Sequence, residues 1–267
     1  MSLISKKLEE LRLRNEAALI PYIMAGDPDI ETTAELVLEM EKAGADMIEL
    51  GVPFSDPLAD GPTIQRAAAR ALGRKVNVKK IFLLVRKLRE NTRIPVILML
   101  YFNLVHKYGQ ERFVADAAAA GVDGLIIPDL PPEEASVLMK ASAKSALDII
   151  FLLAPTSSVD RIKLADTSSS GFIYYVSLTG VTGARASLDA GISQSLKRIR
   201  RYTKKPICVG FGISMPQQAR EMAKVADGVI VGSAIVGLIE KAGSRESAVT
   251  QVGAFVKELK AACISVR

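Results

Sequence analysis

Short apolar runs alternate with longer amphipathic segments from one end of the chain to the other, and this alternation limits the fold more than any other feature. Apolar runs of this kind are typical of buried strands, and the segments between them are typical of helices. The predicted strands are Ala18–Met24, Met47–Leu50, Pro95–Leu100, Gly124–Ile127, Ile149–Leu153, Phe172–Ser177, Pro206–Val209 and Gly228–Val231. About eight strands, at roughly 33 residues per unit, is the count at which a parallel sheet closes into a barrel. The pattern predicts an α/β fold, a (β/α)₈ TIM barrel formed as one domain by residues 1–267, with an extra amphipathic helix at the amino terminus.

Three similar turns support this register. The segments Ala43–Ile48, Ala120–Leu125 and Val225–Ile230 each end a predicted helix with small residues and start the next strand after an aspartate. Turns between a helix and the next strand lie at the bottom of such a barrel, where residues serve stability. Functional residues are therefore expected in the loops that follow the strands.

Two carboxylates stand out in the segment Asp46–Gln65. Glu49 interrupts an apolar strand, and burying an unpaired carboxylate is costly unless its pKa shifts. Because side chains alternate along a strand, Met47 and Glu49 are expected to point into the barrel. The loop that follows supplies Asp60, and two acids in different surroundings are a common arrangement for acid/base chemistry. The alternative is structural, with Asp60 only capping a helix that begins near Pro62.

Two adjacent tyrosines lie in the sixth predicted strand. Tyr174 and Tyr175 must face opposite sides of the sheet, so one of them points inward. The alternative to a functional role for either is packing in the core.

Three loops of small residues follow the last three strands: Thr179–Gly183, Val209–Ser214 and Val231–Ile235. Glycine lets backbone N–H groups approach an oxyanion closely, and a helix beginning near Ser233 adds a partial positive charge. The last two loops of a barrel are where phosphate usually binds in this fold. Together the loops predict a phosphorylated substrate.

The composition argues against several other functions. The net charge of +6 is modest and no aromatic residues interleave with the basic cluster near Lys197–Arg201, so a nucleic-acid partner is not expected. Two cysteines cannot form a disulfide framework, and no apolar run is long enough to span a membrane, which predicts a cytoplasmic protein. A single histidine, His106, cannot build a multi-histidine metal site. No predicted strand carries a lysine for a Schiff base.

Long motifs with irregular spacing now identify a resemblance. The segment E-L-G-V-P-F-S-D-P-L-A-D-G-P-T-I-Q resembles the signature of the tryptophan synthase α subunit family. The likeness extends along the whole chain and includes P-Y-I-M-A-G-D-P, Y-F-N, I-I-P-D-L-P-P-E-E and G-V-T-G.

The resemblance implies a TIM barrel that cleaves indole-3-glycerol phosphate to indole and glyceraldehyde 3-phosphate in tryptophan biosynthesis. It implies catalytic roles for Glu49, Asp60 and Tyr174, with Thr182 near Asp60. The predicted substrate-binding residues are Tyr22, Leu100, Tyr101 and Phe211 around the indole ring, and Gly183, Gly212, Gly232 and Ser233 at the phosphate. No metal and no cofactor are expected in this chain.

The resemblance also implies a partner. The chain is expected to act in an α₂β₂ complex and to pass indole to a β subunit that carries pyridoxal phosphate. One alternative is a stand-alone indole-3-glycerol-phosphate lyase, and another is a chain that only activates its partner. A third is a different phosphate-binding barrel enzyme, such as an epimerase or a prenyltransferase. The intact acids and phosphate loops argue against an inactive chain, and the lack of histidine or aspartate clusters argues against the third alternative.

Overall fold

A computed structural model of the chain describes residues 1–176, 185–210 and 212–264, with the backbone alone for 185–190. The strands are β1 Ala18–Met24, β2 Ile48–Gly51, β3 Val96–Met99, β4 Gly124–Ile126, β5 Asp148–Ile150, β6 Leu152–Leu153, β7 Ile173–Val176, β8 Ile207–Gly210 and β9 Gly228–Val231. The helices are α1 Leu3–Leu13, α2 Ile30–Lys42, α3 Pro62–Gly73, α4 Val78–Leu88, α5 Phe102–Tyr108, α6 Gln110–Ala120, α7 Ser136–Ser142, α8 Val159–Ser168, α9 Arg185–Arg200, α10 Pro216–Ala223, α11 Ser233–Lys241 and α12 Arg245–Cys263, and a 3₁₀ helix spans Pro132–Glu134.

All described strand pairs are parallel and belong to one sheet in the order β5-β4-β3-β2-β1-β9-β8-β7-β6. The two strands at the ends of this order, β5 and β6, are consecutive in the chain and are separated only by Phe151. The sheet therefore curls round until its ends meet through the chain itself. The predicted barrel class is confirmed.

The predicted fifth strand, Ile149–Leu153, was wrong in one respect, because it is two short strands. Ile149 and Phe151 each donate their N–H to a serine hydroxyl, Ser170 at 2.8 Å and Ser169 at 3.2 Å. These side chains take the place of backbone partners at this point of the sheet. As a result β5 pairs only with β4, and β6 pairs only with β7.

The core has two layers, as the alternation along a strand requires. Inside the barrel lie Met47, Ile97, Ile126, Tyr174, Cys208 and Ile230, and helix α1 closes the lower end with Ile4, Leu8 and Leu11. Between the sheet and the surrounding helices lie residues such as Ile48, Leu50 and Val229. The extra amino-terminal helix is thus a plug for the bottom of the barrel.

The three aspartate turns have a common structural function at this lower end. The carboxylates of Asp46, Asp123 and Asp227 each accept a hydrogen bond, at 2.8 Å, from the N–H of a residue in or beside a neighbouring strand: Leu19, Val96 and Ile207. Each also pairs with a cation, Lys260, Arg89 and Arg200 in turn. The repeated aspartate therefore ties adjacent strands together, away from the loops that follow the strands.

Candidate active site

A cavity of about 240 Å³ opens at the carboxyl ends of the strands. Its walls come from β1, β2, β3, β6, β7, β8, β9 and the loops that follow the strands. The lining residues are Tyr22, Glu49, Ala59, Asp60, Gly61, Ile64, Met99, Pro128, Leu152, Tyr174, Val176, Gly210, Gly212, Ile213, Ile230, Gly232 and Ser233. This is the end of the barrel at which TIM-barrel enzymes place their active sites.

Glu49 lies on the inner face of β2 and is only 1% exposed. Neither of its carboxyl oxygens has a hydrogen-bond partner among the residues that the structure describes. Burial, and then the charge of nearby Asp60, raise the pKa of Glu49 from 4.5 to about 8. The carboxyl group therefore holds its proton near neutral pH and faces the cavity with both oxygens available to a ligand.

Asp60 lies in the turn that follows β2, immediately before α3. The N-cap of α3 is Gly61, and no side chain caps this helix, so the capping alternative for Asp60 is wrong. Burial raises the pKa of Asp60, and a hydrogen bond from the Tyr101 hydroxyl opposes that shift. Asp60 is thus a second carboxyl group in the same cavity as Glu49, in more polar surroundings.

Two tyrosines of the cavity wall are packed in the same way. The side chain of Tyr22 on β1 lies across Gly51 of β2, and that of Tyr174 on β7 lies across Gly210 of β8. A Cβ atom at either glycine would collide with the tyrosine hydroxyl. Burial and the nearby carboxylates raise the pKa of both tyrosines well above 10.0, so both hydroxyls remain hydrogen-bond donors.

The structure decides which of the adjacent tyrosines points inward. Tyr174 belongs to the barrel interior and lines the cavity, whereas Tyr175 packs in the outer layer against the helices.

The predicted phosphate residues Gly212, Gly232 and Ser233 line the same cavity as the acids. Helix α11 begins at Ser233, and its N-cap residue Gly232 supplies no side-chain hydrogen bond to the first turn. The N–H groups of the first turn, which have no partner within the helix, and the helix dipole at this end favour an anion. A Cβ atom at Gly212 would meet nothing within 4 Å among the described atoms. Thr182, Gly183 and Phe211 lie outside the described residues.

Two predicted indole contacts are placed elsewhere. Leu100 does not line the cavity; it packs in the outer core, because it follows inward-facing Met99 by one residue. Tyr101 supports the Asp60 loop from beside the cavity: its hydroxyl accepts a hydrogen bond from the Ala59 N–H at 2.9 Å, and its ring stacks on Phe54 with centroids 5.2 Å apart. Met99 and Leu152 line the cavity and were missed, although strand alternation would have selected Met99.

Other parts of the described chain lack the features of a reaction site. A wider cleft of about 860 Å³ lies at the opposite end of the barrel, but its acids Asp148 and Asp166 already accept hydrogen bonds from Ser2 and Thr203.

Within residues 1–176, 185–210 and 212–264, no cluster of three or more histidine, cysteine, aspartate or glutamate residues is arranged to hold a metal ion. The same residues contain no helix long and apolar enough to cross a membrane.

Comparison with known proteins identifies a family. A family model described as "Tryptophan synthase alpha chain" matches residues 8–264. Among curated proteins, the tryptophan synthase alpha chain of Geotalea uraniireducens (strain Rf4) is 54% identical over 98% of this chain and 97% of its own length. That of Geobacter sp. (strain M21) is 52% identical over 97% of each chain.

Solved structures agree with the sequence comparison. The crystal structure of tryptophan synthase subunit alpha from Legionella pneumophila superposes with a TM-score of 0.92 at 38% identity, covering 98% of both chains. A structure of Mycobacterium tuberculosis tryptophan synthase gives a TM-score of 0.90 at 37% identity, again covering 98% of both chains. With this degree of similarity over nearly its whole length, the chain belongs to the tryptophan synthase alpha chain family.

Proposed function

We propose that Glu49 and Asp60 are the acid/base pair with which this chain cleaves indole-3-glycerol phosphate to indole and glyceraldehyde 3-phosphate. This cleavage is the lyase reaction of the family, and alpha chains carry no cofactor of their own. The observation that carries the assignment is the buried carboxyl of Glu49, unpaired among the described residues, in a cavity that it shares with Asp60.

Glu49 suits both proton transfers of the reaction. It donates its proton to C3 of the indole ring, and it then accepts the proton of the hydroxyl group on the carbon bonded to C3. The bond between those carbons breaks, its electron pair returns to the ring, and the hydroxyl oxygen becomes the aldehyde oxygen. Glu49 ends the cycle protonated as it began, which a carboxyl group with a pKa of about 8 permits near neutral pH.

Asp60 stabilises the positive charge that develops on the indole ring. Protonation of C3 places that charge on the ring nitrogen, and an ionised Asp60 accepts a hydrogen bond from its N–H. This interaction strengthens as the charge appears, so it favours the transition state over the bound substrate. Tyr101 supports the assignment, because its hydroxyl holds the Ala59 backbone beside Asp60.

The rest of the cavity suits the remaining parts of the substrate. Tyr22, Tyr174 and Met99 provide a partly apolar wall for the indole ring, and Tyr174 also places its hydroxyl near Glu49. The phosphate lies at the backbone N–H groups of Gly212 and Ser233, with Gly232 between β9 and the start of α11. Thr182 and Gly183 are expected to complete this region, and Phe211 to contact the ring.

The partner is a tryptophan synthase β subunit, to which the chain passes indole in an α₂β₂ complex. The loop before α3 supports an interface at the open end of the barrel, because Leu58 is 96% exposed. Phe54, another apolar residue of this loop, folds back onto Tyr101. Asp60 already lines the cavity in the isolated chain, so we expect the partner to hold this loop in place rather than to create the site. We expect the complex in the cytoplasm.

Release of indole tests this function directly. The purified chain is mixed with indole-3-glycerol phosphate, with and without a matched β subunit, and indole is measured. We expect slow release by the chain alone and faster release in the complex. A chain that a bound β subunit does not accelerate would argue for a stand-alone lyase instead.

A further inference from the structure

A network of four charged residues lies outside the cavity and plays no part in the proposed chemistry. Arg70 donates two hydrogen bonds to the carboxylate of Asp27, at 2.7 and 2.8 Å, and a third to Glu240 at 2.7 Å. Arg66 donates two more to Glu240, both at 2.7 Å. Five charge-assisted hydrogen bonds therefore join two acids through two arginines.

The network connects three elements that surround the cavity. Asp27 lies in the loop after β1, Arg66 and Arg70 lie one turn apart on α3, and Glu240 lies near the end of α11. Helix α3 begins at Pro62, two residues after Asp60, and α11 begins at Ser233. The two helices also pack against each other. The network thus links the helix next to the catalytic acid to the helix whose first residue lies at the proposed phosphate position.

The geometry of these pairs makes the link rigid. Asp27 is 1% exposed, and its carboxylate meets the planar guanidinium of Arg70 through two parallel hydrogen bonds, an arrangement that fixes orientation as well as distance. Arg66 and Arg70 hold the pKa of Glu240 at about 2, so the acid remains ionised throughout the physiological range. Titration of Glu240 therefore does not break the link in that range.

We propose that Arg66, Arg70 and Glu240 are positioning residues that fix the distance between Asp60 and the start of α11. This inference rests on the proposed function, in which Asp60 meets the ring nitrogen and α11 meets the phosphate of the same substrate. A substrate held at both ends reacts efficiently only if both ends are held at the correct separation, and small displacements are costly.

Glu240→Gln tests the proposal, because it removes the charge from the α11 end and leaves the Asp27–Arg70 pair intact. The matched control is Glu35→Gln, which removes the acid of the exposed Arg245–Glu35 pair between α2 and the first residue of α12. For both variants and the wild type we would measure kcat and KM for indole-3-glycerol phosphate, and the inhibition constant of glycerol 3-phosphate, which lacks the ring. Circular dichroism would set an assay temperature at which every variant is folded.

We expect Glu240→Gln to lower kcat by about five- to tenfold while KM and the inhibition constant stay within about twofold, because phosphate binding does not require the correct distance between α11 and Asp60. Arg66→Gln should lower kcat less, since Arg70 still reaches Glu240. Glu35→Gln should change none of the three constants. A Glu240→Gln enzyme with the kinetics of Glu35→Gln would overturn the proposal and leave only a structural role. If glycerol 3-phosphate does not inhibit the wild type, the phosphate assignment falls, and this inference falls with it.

Discussion

Among single residues, the buried carboxyl of Glu49 has a consequence for stability as well as for catalysis. Its pKa rises from 4.5 to about 8 on folding, so between these values the folded chain holds a proton that the unfolded chain has lost. The contribution of Glu49 to the free energy of unfolding therefore falls as pH rises through that window, by up to about 1.4 kcal/mol per pH unit.

Glu49→Gln should remove this pH dependence. We expect the variant to gain stability relative to the wild type as pH rises from 4.5 to about 8, and the difference to level off above that range. Urea unfolding of both proteins at several pH values measures it. Parallel pH profiles would mean that Glu49 is already ionised in the folded chain.

The substitution Asp60→Asn removes the charge of the second acid and keeps its shape. We expect a loss of turnover of about 10³-fold with KM changed only a few-fold, because the charge of Asp60 acts mainly as the ring becomes cationic. Thermal unfolding should change little, since Gly61 rather than Asp60 caps α3. A large fall in the unfolding temperature with near-normal turnover would assign Asp60 a structural role.

The sequence alone could reveal some site residues and not others. Glu49 was visible because an acid inside an apolar strand needs an explanation, whereas Met99 was passed over in favour of its outward-facing neighbour Leu100. The charged network around Arg70 was not visible in the sequence, because Arg70 lies 43 residues from Asp27 and 170 residues from Glu240. Such pairs follow from the arrangement of elements in space, and no local pattern marks them.

At the scale of secondary-structure elements, the loop between β8 and α10 provides a test of phosphate binding. A side chain at Gly212 would project into open space among the described atoms, so Gly212→Val should fold normally. If backbone at this position approaches the phosphate, the valine should raise KM by about tenfold and lower kcat less. Steady-state kinetics, with thermal unfolding as the control, measure this. An unchanged KM would place the phosphate elsewhere.

Element boundaries were predicted well where a local pattern decides them. The ends of β1 and β9 match the prediction, because a turn or a charged segment bounds each apolar run. The division between β5 and β6 could not be predicted, because the run Ile149–Leu153 is apolar throughout. It results from the hydroxyls of Ser169 and Ser170, which come from about 20 residues further along the chain.

For the molecule as a whole, the β subunit should contact the loop before α3. We expect Asp56→Lys to weaken the complex by about tenfold and to leave the rate of the isolated chain nearly unchanged, because Asp56 is exposed and does not line the cavity. The control is Glu90→Lys, an exposed acid that follows α4 at the opposite end of the barrel. Equal affinity of both variants for the β subunit, measured by titration, would place the interface elsewhere.

The barrel class could be predicted because it depends on a pattern repeated along the whole chain. A local error such as the missed break at Phe151 does not change that pattern. The cavity is less predictable, since its lining comes from loops and strands spread between Tyr22 and Ser233. What joins them is the closure of the sheet, which brings these strands and loops round one space.

The most direct test of the whole account is the activity of Glu49→Gln. Indole release from indole-3-glycerol phosphate is measured for the wild type and the variant, each in complex with the same β subunit. The amide keeps the shape of the carboxyl group but cannot exchange a proton, so we predict a folded variant whose rate is lower by at least ~10³-fold. Near-normal indole production by a folded Glu49→Gln chain would contradict the assignment of Glu49 as the catalytic acid.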